Sequence, residues 1–215
     1  MSDGLRPPPG TSAAQFFESW LAEAFALSGR RPPPDAPAVQ VLLSGEGGGE
    51  WRVEVTGDGV AVVPLPAAST PAEARRQRLD PRVEVVLRQS AADFAACFTP
   101  DPDLPELLPP GWSALDLLFL DDRDVTLARQ MAGRMRIEIE GRRRRLWSLD
   151  AAFGKEGLAA GRPRATVQID GTTYEGLRTR AIAPMQALIG GKVKMDGDKA
   201  LAGRALMLIA ARLAR

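Results

Sequence analysis

The chain predicts an α+β fold in which one structural unit is used twice. Two observations carry this reading. Short segments of alternating apolar residues, punctuated by glycine, proline and aspartate, read as strands, and they are interleaved with stretches whose apolar residues recur every three or four positions, the helical spacing. The second observation is self-similarity. Residues 39–55 lie on residues 135–151 without a gap, placing Val41 on Ile137, Leu43 on Ile139, Gly45 on Gly141 and Trp51 on Trp147. Further on, Val85 and Leu87 fall on Val167 and Ile169. Pro110, Asp122, Asp124, Leu127 and Ala128 fall on Pro184, Asp196, Asp198, Leu201 and Ala202. The repeated unit is three strands, a strand, a helix, a strand and a final helix. A single α+β domain whose short apolar strands align by chance is the alternative. Under the duplication, a mobile tail (1–12) precedes unit 1 (13–134) and unit 2 (135–215); either Asp124–Gly133 serves both halves or one half borrows a helix from the other, which makes a tandem pseudo-dimer.

Taken in order, Phe16, Phe17, Trp20, Leu21, Ala24 and Leu27 form the apolar stripe of a first helix, with Ser12 as N-cap and Gly29 as stop. Val39–Leu43, Trp51–Thr56 and Val60–Pro64 read as strands, the last two joined at Gly57-Asp58-Gly59. An arginine-rich excursion follows over residues 67–81. Val83–Leu87 is a fourth strand, Ser90–Phe98 a helix capped by Ser90, and TPDPDLPELLPP a proline-rich connection. Leu115–Leu120 is expected to be a strand and Val125–Gly133 a helix.

Composition excludes several classes of function. With Lys+Arg 28 and Asp+Glu 27 the net charge is +1, so nothing draws the whole chain to nucleic acid or acidic membranes. The count of histidines is zero, which rules out Ser-His-Asp and Cys-His sites and histidine-ligated metals. The lone Cys97 forms no internal disulfide and sits in an apolar helical run, as a buried structural thiol does. No apolar run approaches the roughly 18 residues of a membrane span. MSDGLRPPPG lacks the apolar core of a signal sequence, and a cytoplasmic location is expected.

The most informative stretch runs from Tyr174 to Leu206. Tyr174–Arg180 is helical, and Pro184 opens a second helix that Gly190-Gly191 stops. Lys192–Met195 alternates charged and apolar residues as a strand does. Asp196-Gly197-Asp198 turns the chain, and Asp198 caps a last helix from about Lys199 to Leu213. Leu177, Pro184, Ala187, Gly191, Lys192, Val193, Lys194, Gly197, Asp198, Leu201 and Ala202 make residues 165–208 resemble the end of the sterol carrier protein 2 (SCP2) family of lipid-binding domains. The resemblance implies a mainly antiparallel sheet covered by helices, with an apolar tunnel between the layers. It also implies that lipid contacts fall among Leu177, Ile182, Met185, Leu188, Ile189, Val193, Met195, Leu201, Met207 and Leu208. Ordinary core packing is the other reading of each. The first half departs from the family pattern, with Arg123 at the place of Gly197 and Leu117-Leu118 at that of Gly191-Lys192.

Arg142–Arg145 is the densest run of charge. It is open to two readings, a solvated hairpin tip or a peripheral contact with acidic head groups or a partner; no aromatic residue interleaves it to stack nucleic-acid bases. Asp121, Asp122, Asp124, Asp196 and Asp198 stand between strands and helices, where caps are needed, so no metal site is expected. GGKV is not a phosphate-binding loop, because it precedes a strand and has Val193 where a hydroxyl is required. No catalytic constellation and no cofactor motif appears. The expectation is a carrier that binds a fatty acid, acyl-CoA or sterol-like lipid without chemistry. A ligand-free accessory module that assembles with a protein partner is the alternative.

Overall fold

The computed structural model describes residues 5–31, 33, 36–56, 59–66, 83–119, 121–159 and 161–213. The expected turn at Gly57-Asp58, the excursion over 67–81 and the start of the N-terminal tail lie outside the described residues, as do the side chains of Asp122 and Asp124. Residues 5–12 run against the body of the protein: Pro7 is buried and Leu5 packs on the core.

The first helix, α1 (13–28), begins where Ser12 and Gln15 cap each other: the Gln15 N–H donates to Ser12 Oγ at 3.2 Å and the Ser12 N–H to Gln15 Oε1 at 3.0 Å. Its middle, Phe16–Trp20, widens into a π-turn, and Gly29, at φ 64°, ends it in the left-handed conformation. The strands are β1 (Ala38–Ser44), β2 (Gly49–Thr56), β3 (Gly59–Pro64), β4 (Val83–Ser90), β5 (Gly133–Glu140), β6 (Leu146–Phe153), β7 (Ala165–Asp170) and β8 (Val193–Gly197). Between and after them come α2 (Ala91–Ala95), α3 (Leu115–Leu118), α4 (Asp122–Arg129), α5 (Gly154–Ala159), α6 (Gly171–Arg178), α7 (Pro184–Ile189) and α8 (Lys199–Leu213).

All eight strands form one sheet in the order β3-β2-β1-β4-β6-β5-β7-β8. A pairing scheme recurs along it. β1 pairs antiparallel with β2 and parallel with β4; β5 pairs antiparallel with β6 and parallel with β7. Antiparallel pairing of β4 with β6, from Val85↔Phe153 to Arg88↔Asp150, joins the two sets. The boundary expected between residues 134 and 135 falls inside β5. A single apolar cluster draws Phe17, Val41 and Trp51 from the first half together with Met135, Val167 and Leu201 from the second.

Four expectations are corrected, the first being the helix over Ser90–Phe98, which ends at Ala95 with Cys97 and Phe98 in a turn. Leu115–Leu120 does not form a strand; Leu115–Leu118 is a helical turn. Asp116 accepts from the N–H (2.7 Å) and hydroxyl (2.8 Å) of Ser113, which fixes that turn. The helix expected over Val125–Gly133 ends at Arg129, and Gly133 already belongs to β5. The gapless match of the two hairpins also fails. Val41 faces Trp51, whereas Ile139, not Ile137, faces Trp147, so the second hairpin closes with two residues fewer. A shift of two preserves which face each side chain occupies, and the alternation alone does not reveal it.

The two sheet faces differ in chemistry. Helices cover the face carrying Val39, Val41, Trp51, Val85, Met135, Ile139, Trp147 and Val167, all buried. On the opposite face α5 shields Val86 and Ala152, and the neighbouring residues are largely charged. There Asp150, itself buried, accepts from Arg134 Nη2 at 2.6 Å and Arg136 Nε at 2.8 Å. Desolvation pushes the Asp150 carboxyl upward, but the bonds from Arg136 and Arg134 outweigh it and hold the group below the usual carboxylate range. A depressed folded-state value means that this stabilisation is complete above about pH 4 and fades as pH falls through that value. Asp150→Asn is therefore expected to lower stability at pH 7 by about 2 kcal/mol. It should also flatten the acid limb of the stability curve in urea titrations run at several pH values, with Asp116 and Asp170 keeping their own contributions.

Candidate functional site: an apolar cavity at the junction of the two strand sets

Where β4 meets β6, the helical layer does not fully fill the space over the sheet. A cavity of about 240 Å³ remains, and its floor is made by β1, β4, β5 and β6, including Leu87, Ile137 and Leu149. These three are only half-buried although they lie mid-sheet under helices, the mark of a floor without a filler. Tyr174 and Arg178 of α6 and Ala205, Leu208 and Ile209 of α8 form the walls. Leu107, Pro109 and Trp112 of the proline-rich connection form part of the cover. Among the described residues lining the space, Arg178 is the single charged one.

That connection, residues 99–112, is a strap with five prolines, and it is held at several points. The Tyr174 hydroxyl donates to the Leu107 carbonyl at 2.5 Å, and Arg178 Nη1 donates to the Leu108 carbonyl at 3.2 Å. Arg178 also pairs with Glu175 (2.6 Å) and Glu106 (2.9 Å), so its charge is already neutralised inside the protein. Burial pushes the Tyr174 hydroxyl far above its ordinary range, which keeps it a donor. At the other end the Arg142 N–H donates to the Asp103 carbonyl at 2.6 Å. Gly141 permits this approach, since a Cβ there would stand 2.0 Å from the same oxygen.

Of the ten residues singled out in the sequence, Leu208 lines the cavity. Leu177, Val193 and Leu201 are buried in the main core, while Ile182, Leu188 and Met195 pack partly buried against it. Met185, Ile189 and Met207 are exposed. Floor and cover come from segments that the sequence reading did not single out. Trp112, a large aromatic just after the proline run, is a signal the sequence offers for the cover; the space over the facing pair Ile137 and Leu149 shows only in the packing.

Asp93 of α2 explains part of the arginine run. Its carboxylate pairs with Arg145 Nη1 at 2.7 Å, and its carbonyl accepts from Trp147 Nε1 at 2.8 Å. Arg145 also reaches Asp101 at 3.2 Å, so this arginine is committed to the protein rather than offered to a head group. Arg142–Arg144 form a 3-10 turn at the hairpin tip. Cys97 is half-buried beside Asp93, its Sγ 3.6 Å from that carbonyl, rather than the fully buried thiol expected; desolvation pushes its thiol up to about 12, which keeps it protonated. Asp198 caps α8, accepting from the Leu201 N–H at 3.0 Å. Among the described residues no group of three His, Cys, Asp or Glu stands together to hold a metal, and no helix is long and apolar enough to cross a membrane.

No protein-family model matches the chain, and no curated protein matches it. Solved structures of SCP2 domains are similar to it over less than half its length. The solution structure of the sterol carrier protein domain 2 of Helicoverpa armigera matches at 17% identity and a TM-score of 0.32, covering 41% of this chain and 75% of that one. Palmitated SCP2L2 from Aedes aegypti matches at 17% identity and a TM-score of 0.32, covering 46% and 95%. UbiJ-SCP2, a ubiquinone synthesis protein, matches at 20% identity and a TM-score of 0.31, covering 46% and 86%.

Removing the two α6 anchors tests the strap. In the double variant Tyr174→Phe/Arg178→Met, amide exchange at Leu104 and Trp112, whose N–H groups bond within the strap, should accelerate by about tenfold or more. Exchange in the β5–β6 ladder should stay at the wild-type rate.

Proposed function

We propose that the chain binds the tail of a hydrophobic molecule, of the fatty-acyl or sterol-like class, in the cavity over the β4–β6 junction, and performs no chemistry on it. The observation that carries this reading is the lining: among the described residues it is apolar apart from the Tyr174 hydroxyl, which is bonded to Leu107, and Arg178, whose charge is already met by Glu175 and Glu106. Apolar cavities stay dry and accept apolar guests, because water inside finds no partners. The resemblance of residues 165–208 to SCP2 domains points the same way. Because Arg178 is engaged, the tail rather than an acidic head group is the part recognised inside.

Magnitudes bound the ligand. The volume equals that of about eight waters at ~30 Å³ each, so a slender tail of similar bulk fits without rearrangement. At about 0.8 kcal/mol per buried methylene, some ten methylenes supply about 8 kcal/mol, the free energy of a micromolar complex, before the cost of association. Longer or wider tails require the strap or α8 to yield.

A displacement titration with a fluorescent fatty acid tests this. Saturable binding is expected, with affinity rising about fourfold per added methylene until the cavity is full. Leu149→Trp, which puts bulk on the cavity floor, should weaken binding at least tenfold while leaving the melting temperature near the wild-type value. Wild-type protein that takes up no acyl or sterol probe, or equal uptake by the Leu149→Trp variant, would leave the ligand-free accessory module as the better reading.

A further inference from the structure

From the fold we infer that α7 and its flanking cations form a docking surface for an anionic bilayer. The inference goes beyond the cavity and does not depend on it. α7 is helical because Pro184 opens it and Gln186 reaches back to the Ala183 N–H at 3.4 Å, yet it buries only Ala187. Met185 and Ile189 are one turn apart, so they share a face, and they are 55% and 81% exposed. An isoleucine that open, on a helix that buries so little of itself, is an apolar ridge without a partner among the described residues.

Charge decides what fits the ridge. Between Glu175 and Asp196 the chain carries no acidic residue, but it holds Arg178, Arg180, Lys192 and Lys194. Arg178 is tied to the strap, whereas Arg180, Lys192 and Lys194 are exposed. The acids on the elements packed against α7 are Glu175, held by Arg178, and Asp196 at the far end of β8. A chain of net charge +1 thus gathers cations beside its exposed apolar helix. Surface-bound proteins need such a pair of signals, since neither apolar insertion nor cationic attraction alone gives stable binding. Leu27 supplies a contrast: it is also 81% exposed, but Glu23 one turn before it offsets the exposed Arg31 just after the helix, and Arg30 is held by Asp116, so no excess of cations gathers there.

Vesicle flotation with the full chain provides the test, using phosphatidylcholine vesicles with and without phosphatidylglycerol. Wild-type protein should float with the mixed vesicles only, and less so at high salt. Met185→Ser/Ile189→Ser should weaken this at least tenfold and Lys192→Gln about fivefold, while Leu27→Ser matches wild type. All these positions are exposed, and unchanged melting curves check that the variants fold. The inference is overturned by absence of binding to the mixed vesicles or by equal binding of the Met185→Ser/Ile189→Ser variant. It is equally overturned if α7 pairs two copies, seen as a wild-type dimer that this variant converts to monomer without any vesicle binding. The readout is independent of the cavity: protein that floats but takes up no acyl probe fails only the carrier reading.

Discussion

The structure depends on one interaction, the antiparallel pairing of β4 with β6. Each strand set lacks something at that border. Among the described residues, β4 has no further strand of its own half beyond it, and β6 has no third hairpin strand of the kind β3 provides for β2. Each therefore presents an open edge, and unpaired N–H and C=O groups on a sheet edge demand partners. Val85↔Phe153 through Arg88↔Asp150 satisfies both edges at once. On the apolar face side chains secure the same border, and on the polar face they brace β6 against β5. Asp150 gathers Arg134 and Arg136 on the polar face, and on the apolar face Asp93 of α2 holds Trp147 and Arg145. Both tryptophans of the recurring hairpins are engaged by helices that precede them: Trp51 donates to Glu18 of α1 at 2.9 Å, and Trp147 to α2. α2 of the first half thus reaches across to the hairpin of the second.

Much of this architecture was legible where a local rule acts alone. The stripe of Phe16, Phe17, Leu21 and Ala24, the Ser12 cap and the Gly29 stop define α1 without tertiary help. The C-terminal turn was legible for a similar reason. Gly197 has φ 75°, and a Cβ on it would meet the Arg164 carbonyl at 2.1 Å, so glycine is required there. The failures lie where tertiary context decides. Leu115–Leu120 is an apolar run of a length that suits a strand or a buried helical turn equally. Asp116, tied to Ser113 and to Arg30 at 2.6 Å, settles it as a turn.

The cavity was less legible than the fold, because no single segment contains it. Its floor is contributed by strands of both halves, and its cover by a strap whose prolines signal irregularity rather than a binding wall. The resemblance directed attention to residues 177–208, where most of the apolar set is either core or surface. Sequence alternation places Ile137 and Leu149 on the apolar face, but only the packing shows that the helices above leave them uncovered.

This arrangement makes one helix responsible for two properties of the cavity. Tyr174 and Arg178 line the space and also hold the carbonyls of Leu107 and Leu108 in its cover. A tail bulky enough to press on the α6 wall therefore loads the same side chains that keep the strap down, and wall and cover are coupled. The bonds concerned are a few side-chain contacts, each contributing about 1 kcal/mol net, whereas the floor belongs to a sheet eight strands wide. The less firmly held side of the cavity is the side of α6 and the strap, so under the proposed carrier reading that is the side from which a tail enters.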